Sequence, residues 1–360
     1  MRFFWMFLLQ AFICSAAAAL SQKPLVIAYY TGDAEKIHSY PVSGLTHIIY
    51  SFLELKQGEL SFKREGQKDI LRTLVKLKDT NPGLKIIVAL GGWGGCEPCS
   101  QAFSTENGRR LFARSVERIL KEYGADGIDL DWEYPTIAGY PGHPYAETDR
   151  DAFTGLLKEL RKTLGKNYEI SFAAGGFTRF VEQAVHWKKV MKWVDRVNLM
   201  TYDLVGGFSK VTGHHTPLYS NERQKESADH CINMLRERNI PINKLVIGAA
   251  FYARTWKEVS PDANGIYQSG VFQSFVPYRK HAEDFQASRG FEKYFDEASK
   301  ASWSYNAKDR VFATYDDERS IAAKVDYVKK NGMGGIMFWE LTLDKPQQGL
   351  LGVILNNIKR

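Results

Sequence analysis

The chain has 360 residues, of which 44% are hydrophobic, 13% aromatic and 25% charged. It is too apolar and too aromatic for a disordered protein, and four cysteines are too few for a disulfide-built scaffold. The net charge of +7 comes from mixed charges without a basic block, so the clustered patch typical of a nucleic-acid-binding protein is missing.

The N-terminus has the order of residues that is typical of a secretory signal peptide. Arg2 is followed by an apolar stretch that extends to Cys14 and then by small residues at positions 15–19. The apolar stretch is short for a transmembrane span, and an uncleaved anchor is the alternative interpretation. We therefore predict a signal peptide over residues 1–19 and an exported protein, either secreted or located in the periplasm or cell envelope.

Strands and helices alternate along the rest of the chain. Short β-branched or aromatic runs predict eight strands: Leu25–Tyr30, His47–Leu53, Lys85–Leu90, Gly127–Glu133, Glu169–Ala174, Arg196–Tyr202, Leu245–Tyr252 and Gly335–Trp339. Helical spacing of apolar residues predicts helices between them: Gly66–Lys78, Thr105–Tyr123, Glu147–Leu164, Arg179–Trp193, Arg223–Arg238 and Glu318–Asn331. Repeated strand–helix units predict an α/β fold with parallel strands, and eight of them favour a (β/α)8 TIM barrel over an open doubly wound sheet.

The connection after the seventh predicted strand is too long for a simple loop. It is rich in Phe, Tyr and Trp, which indicates a core of its own. We predict a small α+β insertion subdomain over residues 254–314, between strand 7 and helix 7, and a barrel formed by residues 20–253 and 315–360. Because βα-loops lie at the catalytic face of a barrel, we expect the insertion to form one wall of a cleft. The alternative is a lid-like decoration far from the substrate.

The cysteines and histidines give no metal-binding pattern. Cys96 and Cys99 lie in Cys-Glu-Pro-Cys, for which we favour a local disulfide in an exported chain, with free thiols as the alternative. Cys231 is most simply a buried apolar residue. No Cys/His cluster has zinc spacing, and the pair His214–His215 stands alone in a loop. We expect no metal and no cofactor.

Three acidic residues alternate along the fourth predicted strand. Because side chains alternate faces along a strand, Asp129, Asp131 and Glu133 point together into the barrel. Neighbouring carboxylates cannot all ionise cheaply, so at least one holds its proton more tightly. A purely structural role would need an arginine or lysine inside, and the facing strands are mostly apolar. Glu133, nearest the rim, is therefore predicted to stay protonated near neutral pH and to act as a general acid.

The spacing of these acids also resembles the signature of a known family. The spacing Asp-x-x-Asp-x-Asp-x-Glu, from Asp126 to Glu133, is similar to the signature of glycoside hydrolase family 18, the chitinases and related endo-N-acetylglucosaminidases. Further segments resemble motifs of that family: Gly91–Trp93, Met200–Asp203, Phe251–Arg254 and Gly335–Trp339. Where the family has Ser in Ser-x-Gly-Gly this chain has Ala89, a departure that we expect to affect packing more than chemistry. The insertion resembles the α+β subdomain of the deep-cleft branch.

The resemblance implies hydrolysis of β-1,4 bonds in chitin or chitooligosaccharides by substrate-assisted, retaining catalysis. Glu133 would protonate the glycosidic oxygen and then act as the base toward water. Asp131 would hold the acetamido N–H, and Asp129 would share a proton or a hydrogen bond with Asp131. Tyr202 would donate to the acetamido oxygen.

The resemblance also implies the residues that bind the sugar chain. Asp203 would bind the sugar at the point of cleavage, and Trp339 would form the apolar floor under it. The other residues implied in substrate binding are Tyr29, Phe52, Trp93, Met200, Tyr252 and Arg254. Phe208 stands where many relatives have Trp, which suggests a weaker stacking platform. Asp126 would be structural and cap backbone amides.

Two other functions remain open. One is an endo-β-N-acetylglucosaminidase acting on glycans or peptidoglycan, and the other is a non-catalytic, lectin-like relative that binds chitin. Lectin-like relatives typically lose the acid, which is present here as Glu133, and the insertion favours a deep cleft for a linear polymer. We expect a monomer that binds chitin or N-acetylglucosamine oligosaccharides, with no nucleic acid partner and no membrane insertion of the mature chain.

Overall fold

The computed structural model describes residues 23–359. The predicted signal peptide over residues 1–19 lies outside the described residues. Among the helices within 23–359, none combines the length and the apolar character that a membrane span requires.

The strands and helices follow one another in the order that the sequence predicts. The strands are β1 (Leu25–Tyr30), β2 (His47–Lys56), β3 (Glu59–Ser61), β4 (Lys85–Gly91), β5 (Gly127–Asp131), β6 (Glu169–Gly175), β7 (Arg196–Met200), β8 (Leu245–Ala250), β9 (Tyr252–Lys257), β10 (Val271–Pro277), β11 (Phe291–Asp296), β12 (Ala301–Asn306), β13 (Val311–Tyr315) and β14 (Gly335–Trp339). The helices are α1 (Gly66–Lys76), α2 (Cys99–Phe103), α3 (Glu106–Tyr123), α4 (Asp149–Leu164), α5 (Thr178–Gln183), α6 (Trp187–Val190), α7 (Ala228–Glu237), α8 (Tyr278–Asp284), α9 (Glu318–Asn331) and α10 (Leu350–Lys359).

Eight parallel strands close into a barrel. They are hydrogen-bonded in the order β1-β14-β8-β7-β6-β5-β4-β2, and β1 pairs with β2 as well as with β14. This closure confirms the predicted (β/α)8 fold. Small and apolar side chains fill the interior, including Ile27, Ile49, Ile87, Val246 and Met337, while a larger apolar layer packs the helices against the outside.

Two predicted helices differ from the structure. The segment predicted as Arg179–Trp193 is split into α5 and α6, because the chain leaves the helical conformation at His186 and the buried indole of Trp187 donates to the carbonyl of Val181 at 2.8 Å. The helix predicted from Arg223 begins only at α7, where the hydroxyl of Ser227 accepts from the N–H of His230 at 3.1 Å.

A second sheet lies in the chain between β8 and α9. It has five antiparallel strands in the order β10-β9-β13-β12-β11, and its first strand, β9, starts one residue after β8 ends. Trp256 is fully buried at its centre beside Phe312, and the Trp256 indole donates to the carbonyl of Ser209 at 2.9 Å. The sheet is thereby tied to the loop after β7, at the end of the barrel where the predicted site lies.

A buried ion pair joins this sheet to the barrel. Just after β13, Asp316 binds the ammonium of Lys324 at 2.6 Å, and both side chains are fully buried. Asp316 also accepts from the N–H of Ala250 at 2.9 Å and from the hydroxyl of Ser320 at 2.6 Å. These partners belong to the barrel and to α9, so the position of the insertion is fixed relative to the strand ends.

Candidate active site

Asp129, Asp131 and Glu133 form an acid column that follows β5 to the C-terminal rim of the barrel. Asp129 and Asp131 lie within the strand and are 0% and 4% exposed, and Glu133 follows two residues beyond its end and is partly buried. The three side chains are therefore arranged in depth, with Glu133 nearest the opening, as the alternation of the strand predicts.

Two glycines at the end of β4 make room for the column. A Cβ at Gly91 would lie 2.0 Å from the carbonyl oxygen of Asp131, and a Cβ at Gly92 would lie 2.3 Å from the ring of Phe52. Both have positive φ, at 111° and 78°, which glycine adopts without strain. The N–H of Gly92 donates to the carbonyl of Asp131 at 2.9 Å, which fixes the end of β5.

Asp129 is held by three hydrogen-bond donors at the base of the column. Its carboxylate accepts from the hydroxyl of Tyr29 at 2.8 Å, from the hydroxyl of Ser171 at 2.6 Å and from the amide of Asn198 at 3.0 Å. Burial raises the pKa of Asp129, and the three hydrogen bonds oppose that shift. These partners differ from the bond to Asp131 that we predicted, because the adjacent strand β6 and the more distant strands β7 and β1 supply polar groups of their own.

The surroundings of Asp131 differ from those of Asp129. Among residues 23–359 its Oδ1 atom has no hydrogen-bond partner although it is buried. Burial raises the pKa of Asp131 well above its usual range, and the charges of Glu133 and Asp129 raise it further. Asp131 is therefore a carboxyl group of raised proton affinity, and one of its buried oxygens makes no hydrogen bond with any residue between 23 and 359.

Glu133 has an intermediate proton affinity. Burial raises its pKa from 4.5 to about 7, and the negative charge of Asp203 contributes in the same direction. A carboxyl group with a pKa near the working pH can give up its proton and take it back, as general acid–base catalysis requires.

The carboxylate of Asp203 is paired with other side chains of the protein. It accepts two hydrogen bonds from the guanidinium of Arg254, at 2.7 and 2.6 Å, and one from the hydroxyl of Tyr252 at 2.9 Å. The imidazole of His215 lies 3.5 Å from it. Hydrogen bonds from Arg254 and His215 hold the pKa of Asp203 below its usual range in spite of burial. Since Arg254 belongs to β9, the insertion contributes directly to the site.

The predicted aromatic residues fall into two groups. Trp339 is partly buried, and its ring stacks with that of Phe52 at 5.5 Å with an interplanar angle of 18°. Tyr29 and Tyr252, by contrast, are 1% and 2% exposed. The prediction that these two tyrosines line the cleft needs correction, because their hydroxyls support Asp129 and Asp203 from below. Met200 is likewise almost buried inside the barrel.

Three exposed rings meet at the rim. Trp93, after β4, lies 5.5 Å from Tyr140, after β5, and 6.3 Å from Phe208, after β7. Their exposures are 49%, 38% and 76%, which is unusual for such large apolar side chains. Exposed aromatic faces held next to one another are suited to stacking against the apolar faces of sugar rings.

The fold and these motifs match one family. The model of the glycosyl hydrolases family 18 matches residues 25–344, from the first barrel strand to beyond the last. The chain belongs to this family.

Relatives of this family 18 chain include proteins of known name. Chitinase A1 of Niallia circulans is 33% identical over 300 residues, which cover 76% of this chain and 43% of that protein. Chitinase B of Serratia marcescens is 27% identical over 434 residues, which cover 93% of this chain and 84% of that protein. This chain therefore spans less than half the length of Chitinase A1 and most of the length of Chitinase B.

A solved structure of similar size is also related. The family 18 N-acetylglucosaminidase from Paenibacillus barengoltzii has a TM-score of 0.85 and 34% sequence identity, and the match covers 93% of this chain and 99% of that one. Barrel and insertion are thus shared over nearly the whole of both chains.

An arginine does lie inside the barrel of this family 18 chain, contrary to our expectation. Arg196, the first residue of β7, is 5% exposed and binds Glu169, which also bonds His47 at 2.9 Å. The charge of Arg196 is paired with that of Glu169 at the end of the barrel where β6 and β7 begin. It contributes to the field around Asp129 without a hydrogen bond to that residue.

The remaining predicted residues lie around the site. Asp126 accepts from the N–H of Ile86 at 2.8 Å and from Lys78 at 3.0 Å, outside the barrel interior. Cys96 and Cys99 are joined by a disulfide in the loop after β4. Within the described residues, no cluster of three or more His, Cys, Asp or Glu side chains could hold a metal ion.

Sequence reasoning missed Ser171, Asn198 and Tyr140 as parts of the site. Ser171 and Asn198 are polar residues at inward positions of β6 and β7, next to the apolar inward residues Ala173 and Met200, and that contrast was a signal available in the sequence. Tyr140 lies in an irregular loop, where no periodic pattern indicates which way a side chain points.

Proposed function

We propose that the chain hydrolyses β-1,4 bonds in chitin or N-acetylglucosamine oligosaccharides, with retention and with Glu133 as the general acid and base. The observation that carries this proposal is the acid column, in which the carboxyl groups differ in proton affinity. Glu133, with a pKa of about 7, stands at the rim above Asp131, whose pKa is raised well above its usual range and whose buried Oδ1 has no hydrogen-bond partner in the described part of the chain.

In the proposed reaction the substrate supplies the nucleophile. The acetamido oxygen attacks the anomeric carbon while Glu133 gives its proton to the departing glycosidic oxygen. Asp131 accepts the acetamido N–H on Oδ1 and so orients the acetamido oxygen toward the anomeric carbon, and the carboxylate left on Glu133 offsets the charge of the oxazolinium cation that forms. Glu133, now a carboxylate, takes a proton from water, which attacks the anomeric carbon and restores the N-acetyl group.

Tyr202 is placed to take part in the same step. Its hydroxyl has a weak contact with the sulfur of Met337, at 4.0 Å, and so keeps its donor for a stronger acceptor. Burial raises the pKa of Tyr202 well above its usual range, and the nearby acidic groups raise it further, so the phenol stays protonated. We propose that it donates to the acetamido oxygen.

The aromatic residues support a polymeric substrate. Trp339, stacked on Phe52, would form the floor under the sugar at the cleaved bond. The rim cluster of Trp93, Tyr140 and Phe208 would carry a neighbouring sugar. Asp203 and Arg254 would orient the sugar chain as a pair.

A second candidate is an endo-β-N-acetylglucosaminidase that acts on glycans or peptidoglycan. The similarity to the Paenibacillus barengoltzii enzyme, which covers 99% of that chain, favours it over the lectin-like alternative. The acid column serves both activities equally, so the substrate has to be found by experiment.

The test is product analysis on defined substrates. N-acetylglucosamine oligomers of two to six sugars, a bacterial peptidoglycan and a glycoprotein are incubated separately, and the products are resolved by mass. The proposal expects shorter oligomers from the chitin series and little release from the others. Cleavage of glycoprotein or peptidoglycan alone would establish the alternative, and no cleavage of any substrate would contradict both.

The pH dependence follows from the proton on Glu133. A general acid must be protonated, and a group with a pKa of about 7 is protonated below that pH. We expect kcat/KM to fall roughly tenfold per pH unit above about pH 7. Initial rates on a soluble oligomer between pH 4 and 10 measure this limb, and a limb near pH 4.5, the ordinary range of a glutamate, would contradict the assignment.

We also propose that the chain is exported and acts as a monomer with an insertion subdomain over residues 254–314. Export is supported by the charge, apolar stretch and small residues at the N-terminus. N-terminal sequencing of the protein recovered outside the cell, together with light scattering, tests cleavage near residue 19 and the monomeric state.

A further inference from the structure

Asp129 has two in-register neighbours inside the barrel, one on each side of β5. Ala89 of β4 lies beside it, and Ser171 of β6 lies beside it on the other side. Both neighbours are fully buried. Only the β6 neighbour has a hydroxyl, which donates to Asp129 at 2.6 Å, shorter than the bonds from Tyr29 and Asn198.

The charge on Asp129 acts on the charged and titratable groups that surround it. Tyr29 of β1 donates to it, Asp131 stands above it on β5, Arg196 on β7 attracts its negative charge, and Tyr202 lies beyond β7. The neighbour on β4 has no ionisable group. An ionised Asp129 repels negative charge on Asp131 and so helps keep the proton there.

We propose that Ser171 is a positioning residue that keeps Asp129 ionised and oriented, so that the proton of the acid column stays on Asp131 and Glu133. This inference rests on the proposed function. Of the two residues in register with Asp129 on the adjacent strands, Ala89 has no hydroxyl, and the donor comes from Ser171 on β6.

The first test is the pH profile of Ser171→Ala. Without this donor the Asp129 carboxylate is less stabilised and takes up a proton at higher pH, although Tyr29 and Asn198 remain. We expect the acidic limb of kcat/KM to move up by roughly one pH unit, with an approximately tenfold lower kcat/KM on that limb. The alkaline limb, which reports the proton on Glu133, should stay in place.

Two further variants separate a hydrogen bond from packing. Ser171→Thr keeps the hydroxyl and should keep the wild-type acidic limb. The double variant Ser171→Ala with Ala89→Ser restores a donor from β4 and should move the limb back. The matched control is Ser115→Ala, which removes a fully buried hydroxyl that bonds Leu60 and Phe112 outside the barrel interior. It should lower the melting temperature without moving either limb.

A carboxyl ¹³C NMR titration of Asp129 gives a readout that does not depend on activity. We expect a higher pKa of Asp129 in Ser171→Ala than in the wild type and in the double variant. An unchanged pKa and an unmoved acidic limb would overturn the inference while the wild type still cleaves oligomers. Absence of cleavage by the wild type would instead overturn the proposed function, and the NMR comparison would still decide the role of Ser171.

Discussion

Glu133→Gln is expected to lower kcat on N-acetylglucosamine oligomers by at least about two orders of magnitude, because general acid–base catalysis contributes roughly 10²–10⁴. Glutamine has nearly the same shape but cannot transfer a proton. Binding should therefore survive, and calorimetry with a soluble oligomer should give a Kd close to the KM of the wild type. Steady-state rates at pH 6 measure the loss.

The stability of the same variant provides an internal check. The pKa of Glu133 is raised from 4.5 to about 7, so the folded state binds this proton more tightly than the unfolded state. Wild-type stability must then fall as the pH rises between these values, and the ionised residue destabilises the fold above them. Glu133→Gln removes that effect, so its melting temperature should exceed the wild-type value at pH 8.

Asp126→Asn is the matched control for this experiment. Asp126 begins the same acidic segment but binds Lys78 and a backbone N–H outside the barrel interior. We expect a loss of stability with kcat largely preserved. Near-normal activity of Glu133→Gln would remove Glu133 from the proposed role, whatever the control shows.

Fully deacetylated chitosan oligomers are expected to give no measurable turnover. If the acetamido oxygen is the nucleophile, its removal takes away an intramolecular group whose effective molarity can reach roughly 10⁵–10⁸ M. Burial and the acidic neighbours raise the pKa of Asp131 well above its usual range, which makes this carboxyl group a poor replacement for the acetamido nucleophile. Product analysis by mass over several days provides the measurement.

The control uses the same oligomers after chemical N-acetylation, which should restore cleavage. In partly acetylated oligomers, cuts should occur where the sugar that contributes its anomeric carbon to the cleaved bond carries an N-acetyl group. Comparable cleavage of acetylated and deacetylated oligomers would defeat substrate assistance and leave a protein nucleophile to be found.

The local pattern of the sequence was sufficient to predict the acid column. Alternation along β5 places Asp129 and Asp131 on one face, and Glu133 follows in the same phase two residues beyond the end of the strand. Repeated strand–helix units restrict the fold to few solutions. The barrel strands accordingly begin where their β-branched runs begin. The division of the long segment between Arg179 and Trp193 depends instead on a bond from Trp187 to Val181, which no periodicity reveals.

The partners of these acids could not be predicted in the same way. The sequence predicts that Asp203 and Arg254 contact substrate, but it gives no sign that they bind each other across 51 positions of sequence. Tyr252 completes that pair and is buried as a result. Such pairings depend on the path of the insertion, which is set by tertiary packing and has no local signature.

The electrostatic state of the column likewise depends on several strands. Ser171, Asn198 and Tyr29 come from β6, β7 and β1, and Tyr29 meets Asp129 across the barrel only when the barrel has closed. Arg196 was missed because its charge is satisfied by Glu169, a residue at the start of another strand. Sequence spacing shows which acids are close together, whereas closure decides which of them keeps a proton.

The most direct test of the proposed mechanism is ¹H NMR of the first product formed from a soluble N-acetylglucosamine oligomer, recorded before mutarotation. Attack by the acetamido oxygen inverts the anomeric carbon once and water inverts it again, so we predict that the β-anomer appears first. An initial excess of the α-anomer would contradict it.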